Sequence, residues 1–174
     1  MNIIAELLLS YIDLTVLAIE VFDPYKTYGK PINEYKRWRK DQHITSQNIS
    51  HLKNNGYIQK DNNKYVVTNK GNASITRYLV KNLKIETPDK WDCIWRVIVF
   101  DIPEAERAKR DTFRRKLEAL GLLMVQKSVF CHPYECVREV TFLTKVLQIE
   151  KYVTYMEVSN IVTGKNIFKH FKIT

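Results

Sequence analysis

Residues 91–121 read WDCIWRVIVFDIPEAERAKRDTFRRKLEALG, and two different periods meet inside this stretch. From Ile94 to Ile102 the chain is a nearly continuous apolar run rich in β-branched side chains, the pattern of a strand buried on both faces. Pro103 then suits the first turn of a helix, where a missing N–H costs nothing. Phe113, Leu117 and Leu120 recur at i, i+4 and i+7 before Gly121, a residue suited to closing a helix.

Downstream, the pattern gives short strands around residues 122–131 and a helix near 135–147 with Val140, Leu143 and Leu147 turned inward. A last strand falls near 151–158. Strand, helix, two strands, helix and strand form the ferredoxin-like βαββαβ unit. Upstream, Pro88 and a cluster of charges mark a linker near residues 84–90. The expected domains are therefore 1–84 and 91–174, the second carrying a C-terminal extension.

The first domain reads as a winged helix-turn-helix, so the fold class is α+β. Segment 33–40, NEYKRWRK, is a short basic helix in which Tyr35 and Trp38 share one face. After a turn through Asp41–His43, Thr45 or Ser46 caps a second helix that runs to about Asn55 and stops at Gly56. The following YIQKDNNKYVVTNKG has two β-prone runs around Asp61-Asn62-Asn63, which is a hairpin. A helix over 72–82 leads into the linker. In a winged helix the second helix enters the major groove and the wing lies near the DNA backbone.

Charge supports that assignment. Residues 26–84 hold 13 basic side chains against Glu34, Asp41 and Asp61, a net +10, whereas residues 1–25 have no Lys or Arg. Wheeled at 100° per residue, the second helix buries Ile49 and Leu52 and turns Gln47, Ser50, His51 and Asn54 outward. Gln and Asn can pair bidentately with adenine, and Ser and His can reach base edges or phosphate. Lys53, the wing residues Lys60 and Lys64, and Arg37 and Arg39 of the first helix are candidates for phosphates. The competing reading is a winged helix that has lost DNA and packs against a partner.

Hydrophobic residues at 45% and scarce Gly and Pro predict a packed core rather than disorder. The apolar run Ile3–Phe22 contains Glu6, Asp13 and Glu20 and follows no basic segment. It is expected to be a buried helix of a cytoplasmic protein, with no membrane partner. Cys93, Cys131 and Cys136 are an odd set without paired spacing, which fits a reducing compartment. The sequence CHPYEC, residues 131–136, has no common zinc spacing and no evident fourth ligand. Trp91, Trp95 and Phe100 read as core rather than as a base-stacking platform.

The stretch 91–121, followed by VQKSVFCHPYEC at 125–136, resembles the central module of the PaaX family, the repressors of phenylacetic-acid operons. It is also similar to the small CRISPR-associated endonuclease of spacer acquisition. There a strand ends in an aspartate, a basic helix follows, and a Q-x-S-V-F segment comes next. The corresponding residues here are Asp101, the helix with Arg107, Arg110, Arg114 and Arg115, and Gln126 through Phe130. The resemblance covers about residues 91–158. The CRISPR nuclease consists of the ferredoxin-like unit alone, whereas PaaX proteins place a winged helix before it. The sequence ends soon after the second module, without the further C-terminal region of the longer PaaX repressors, so a coenzyme A thioester effector is not carried over and any small-molecule effector stays unassigned.

The expected function is that of a sequence-specific, double-stranded-DNA-binding transcriptional regulator, a repressor, acting as a homodimer without a cofactor. The alternative is a CRISPR-associated, magnesium-dependent endonuclease or an adaptation-complex scaffold. In the nuclease, the resemblance implies that Asp101 holds magnesium together with its copy in a dimer. In a regulator, Asp101 instead caps the helix that follows Pro103.

Overall fold

The computed structural model describes residues 46–61, 64–163 and 166–173. The chain divides into two compact units, Met1–Asn82 and Leu83–Thr174. The expected helix at 33–40, the apolar run Ile3–Phe22 and the possible cap Thr45 lie outside the described residues.

In the first unit, α1 (Ser46–Asn54) is followed by β1 (Ile58–Asp61), β2 (Lys64–Val67) and α2 (Asn69–Asn82). The end of α1 is set by Gly56, whose φ of 68° lies in the left-handed region. That conformation lets the Tyr57 N–H donate back to the Leu52 carbonyl at 2.9 Å, the closing bond of a Schellman turn. β1 and β2 pair antiparallel from Ile58↔Val67 to Asp61↔Lys64.

α2 starts three residues earlier than its apolar period suggests. The cause is Thr68, whose Oγ1 accepts the Gly71 N–H at 3.2 Å and donates to the Gly56 carbonyl at 2.7 Å. One hydroxyl therefore caps α2 and ties it to the end of α1. Leu52, Ile58 and Ile75 form the buried centre, with Ile49, Tyr57, Tyr65, Val67 and Leu79 packed around it. Each such fully buried aliphatic side chain contributes roughly 1.5–3 kcal/mol.

The second unit holds β3 (Trp95–Phe100), a 3-10 turn (Glu104–Glu106), α3 (Arg107–Ala119), β4 (Leu123–Gln126), β5 (Val129–His132), α4 (Val137–Leu147), β6 (Val153–Val158) and α5 (Ile167–Phe171). The sheet order is β4-β5-β3-β6, with every neighbouring pair antiparallel. That element order and interleaving are ferredoxin-like. β3 is interior to the sheet, which explains its apolar run: five of its six residues are buried.

Side chains alternate across β3. Phe100 meets Phe113 of α3 edge-on at 5.3 Å and stacks with Phe130 at 6.0 Å, so this face lies under a helix. Trp95 and Val97 point to the other face and pack with Cys131 and Ile167. Leu123, Val125, Val129 and Val99 continue that face and are half-buried.

Pro103 does not open an α-helix. It is extended and precedes the 3-10 turn, and neither that turn nor α3 has a side-chain cap. The capping expectation for Asp101 is thereby corrected: its carboxylate is exposed and accepts no hydrogen bond among the described residues. The backbone fixes this strand end instead, through the Asp101 N–H donating to the Tyr152 carbonyl at 3.0 Å. At the far end of α3, Gly121 has a φ of 89° and the Leu122 N–H reaches back to the Leu117 carbonyl. Among the described residues, no helix is long and apolar enough to cross a membrane.

Candidate nucleic-acid interface

α1 is amphipathic on a small scale. Leu52 is buried and Ile49 half-buried, while Gln47, Ser50, His51, Lys53 and Asn54 are exposed. At the last turn, Asn55 Nδ2 donates to the His51 carbonyl at 2.8 Å and lies 3.5 Å from His51 Nδ1. The imidazole is thereby steadied on the outer surface. Lys60 is exposed on β1, cross-strand from Tyr65. The backbone of Lys64 pairs with Asp61, and its side chain is outside the description. Arg37 and Arg39 lie outside the described residues.

The charge of the stretch that holds α1, the hairpin and α2 is one-sided. Residues 46–82 contain Lys53, Lys60, Lys64, Lys70, Arg77 and Lys81, with Asp61 as the single carboxylate. A row of amide, hydroxyl and imidazole groups flanked by ammonium groups can bond to base edges while its cations neutralise phosphates.

Lys70 was not singled out in the sequence, and no local spacing signals its role. Its Nζ donates to the Asn55 carbonyl at 2.8 Å, 15 residues away, and sits 4.9 Å from the centre of the Tyr57 ring. A cation thus covers the negative end of α1, and the ring beneath it adds a cation–π contact.

α3 looks equally basic in sequence but is differently arranged. Arg110 Nη2 donates to Glu104 at 2.6 Å and its Nη1 to the Ile102 carbonyl at 3.1 Å. Arg107 pairs with Glu104 and Asp111, Lys109 with Glu106, and Arg114 with Asp111. Arg114 Nε also donates to the Lys127 carbonyl at 2.8 Å. Glu104 and Glu106 are correspondingly held below the usual carboxylate range, each chiefly by the hydrogen bond from its cation. Most of the α3 cations therefore have carboxylate partners, whereas among the described residues Lys53, Lys60, Arg77 and Lys81 have none.

Asp101 stands exposed at the end of β3. Among the described residues, no group of three or more His, Cys, Asp and Glu side chains is arranged to hold a metal ion. The residues of CHPYEC are likewise dispersed in role. Cys131 belongs to the Trp95–Val97 cluster. His132 accepts the Tyr134 N–H at Nδ1, at 3.2 Å. Burial pushes the Cys136 thiol up to about 12, so it stays protonated. Trp95 and Phe100 are buried, and Trp91 packs on Trp95 with ring centres 5.0 Å apart.

No curated protein and no solved structure matches the chain. Residues 88–167 match the family model described as the PaaX protein central Cas2-like domain, so this stretch is similar to the Cas2-like module of PaaX proteins.

Proposed function

We propose that this protein is a double-stranded-DNA-binding transcriptional regulator, a sequence-specific repressor whose first unit is a winged helix-turn-helix. The observation that carries the reading is the exposed polar face of α1, set in a stretch with six Lys and Arg residues and a single carboxylate. Gln47 and Asn54 read base edges, with Ser50 and His51 beside them. Lys53, Lys60 and Lys64 hold phosphates, joined by Arg37 and Arg39 ahead of α1. The family match adds support, because PaaX proteins are associated with transcriptional regulation.

The regulator acts as a homodimer through its Cas2-like module. One face of the sheet supports this: Leu123, Val125, Val129 and Val99 are only half-buried, and Met156, opposite Val97, is 39% exposed. Apolar side chains left half-buried on one face of a sheet are suited to a copy of itself, and two winged helices can then read a two-fold site.

The test is selection of duplexes from a random pool by the full chain, followed by salt titration of the enriched duplex. With about six phosphates neutralised, the log–log slope is about −5. Lys60→Ala weakens all sequences alike, while Gln47→Ala or Asn54→Ala erodes preference. Salt-independent binding, or a pool that never enriches, refutes the reading. In parallel, Met156→Glu should shift the sedimenting species from dimer to monomer.

A further inference from the structure

α2 carries a feature that the reading of α1 and the hairpin leaves unused. Its exposed positions include 70, 73, 77 and 81, one solvent-facing ridge at the helical repeat. They are Lys70, Ala73, Arg77 and Lys81. Gly71, Ser74 and Ile75 face the opposite way and are buried. The whole of α2, NKGNASITRYLVKN, contains no Asp or Glu.

A merely solvated helix ridge is stabilised by alternating charge, since a Glu and a Lys four residues apart gain roughly 0.2–0.5 kcal/mol and like charges lose a similar amount. Here Arg77 and Lys81 stand four apart with the same sign. Among the described residues neither meets a carboxylate, in contrast to Arg107, Lys109, Arg110 and Arg114 of α3. Among the described residues the row therefore has only its own like charges for company, and an external polyanion would relieve that repulsion.

Position favours one polyanion. The ridge begins beside α1, because Lys70 donates to the Asn55 carbonyl just beyond the end of that helix. From Lys70 to Lys81 it extends about 16 Å along the α2 axis at 1.5 Å per residue. With one phosphate per 3.4 Å of axis on each strand, that length spans about five phosphates of one strand.

We infer that the Lys70–Arg77–Lys81 ridge of α2 is a second backbone-binding surface, gripping duplex phosphates next to those held around α1. The inference rests on the DNA-binding reading above and adds to it. Arg77 and Lys81 bind without regard to sequence, and Lys70 joins the ridge to the end of α1.

The test compares the full-length wild type with an Arg77→Gln/Lys81→Gln variant and a Gln47→Ala/Asn54→Ala variant. Each is titrated against the enriched duplex and a random-sequence duplex over a range of salt. Anionic phospholipid vesicles serve as a second polyanion. Both ridge residues are exposed, so the ridge variant should melt with the wild type. At about 0.9 per phosphate, losing two contacts makes its log–log slope shallower by about 1.8, and binding near 0.1 M salt falls by roughly tenfold per cation. Both duplexes should be affected alike, with sequence preference intact. An unchanged slope in the ridge variant, beside a wild type that binds duplex, overturns the ridge alone. Loss of vesicle binding with duplex binding intact does the same. A wild type that binds no duplex overturns both this inference and the DNA-binding reading.

Discussion

Arg96 grips Asp92 at two points, Nη1 to Oδ1 at 2.7 Å and Nη2 to Oδ2 at 2.6 Å. Arg96 is 5% exposed, and its Nη1 also donates to the carbonyls of Ile94 at 2.8 Å and Pro133 at 3.0 Å. One buried cation thus joins the entry to β3 to the turn after β5. Asp92 further shapes that entry by accepting the Ile94 N–H at 3.1 Å, while Cys93 between them takes a φ of 63°.

Removing Arg96 should be far more damaging than removing the charge of Asp92. Arg96→Met takes the bidentate donor from Asp92, which keeps the Ile94 N–H, and leaves the buried Pro133 carbonyl without its partner, at a cost of about 3 kcal/mol. Asp92→Asn keeps an acceptor for Ile94 and is half exposed, so about 1 kcal/mol is expected. The hydrogen bond from Arg96 holds the Asp92 carboxyl below its ordinary range. Its contribution is therefore present above the unfolded pKa near 4 and is lost as pH falls through the lower folded value. Urea unfolding of both variants checks the ranking; equal losses would contradict it.

Gly71 is a position where any side chain must collide. A Cβ there would overlap the Tyr57 carbonyl oxygen and Val67 Cγ1, and the first of these is backbone and cannot swing aside. Gly71→Ala should cost about 2–3 kcal/mol by overpacking and loosen the start of α2 against the hairpin. The measurement is the urea midpoint together with hydrogen exchange at Gly71 and Asn72. An unchanged midpoint would mean that α2 can shift without loss.

His132 should make the second unit acid-sensitive. Burial holds its imidazole below the usual value, so below about pH 6.5 the unfolded chain takes up a proton that the folded chain refuses. Stability is lost as pH falls from about 6.5 toward the folded pKa, and the loss levels off below it. Glu139 acts with the opposite sign, since burial raises its carboxyl and folding is then disfavoured as pH rises through its range. His132→Asn preserves an acceptor for the Tyr134 N–H and removes the titration. The difference between the two stability profiles isolates the imidazole, and parallel profiles would refute its role.

Asp101→Asn separates architecture from metal chemistry. Because the carboxylate accepts no hydrogen bond among the described residues, the substitution should change stability by less than about 0.5 kcal/mol and leave duplex binding intact. Wild-type protein should leave single-stranded and duplex substrates uncut with magnesium or manganese. Metal-dependent cleavage that disappears in Asp101→Asn would make the nuclease reading the better one.

Elements with a local cause are legible in the residues alone. Spacings of three and four residues mark α1, α3 and α4 because side chains at those intervals share a face of any α-helix. Gly56 and Gly121 mark helix ends because glycine reaches positive φ without strain. The outward face of α1 follows from the same geometry, with Leu52 inward and Gln47, Ser50, His51 and Asn54 exposed.

Features that depend on the return path of the chain emerge with the fold. Arg96 meets a carbonyl 37 residues away, and Lys70 meets one 15 residues away. No periodicity records such pairings. The early start of α2 comes from Thr68 reaching back to Gly56. The four-strand order, β4-β5-β3-β6, puts β3 inside the sheet. Arg107, Arg110 and Arg114 of α3, which look free in sequence, are taken up by Glu104 and Asp111, because side-chain rotamers and a folded-back turn, not residue counts, decide which charges remain available. Asp101 lost its capping role for a similar reason: Pro103 stays extended and a 3-10 turn intervenes, so α3 begins beyond the reach that sequence adjacency implied.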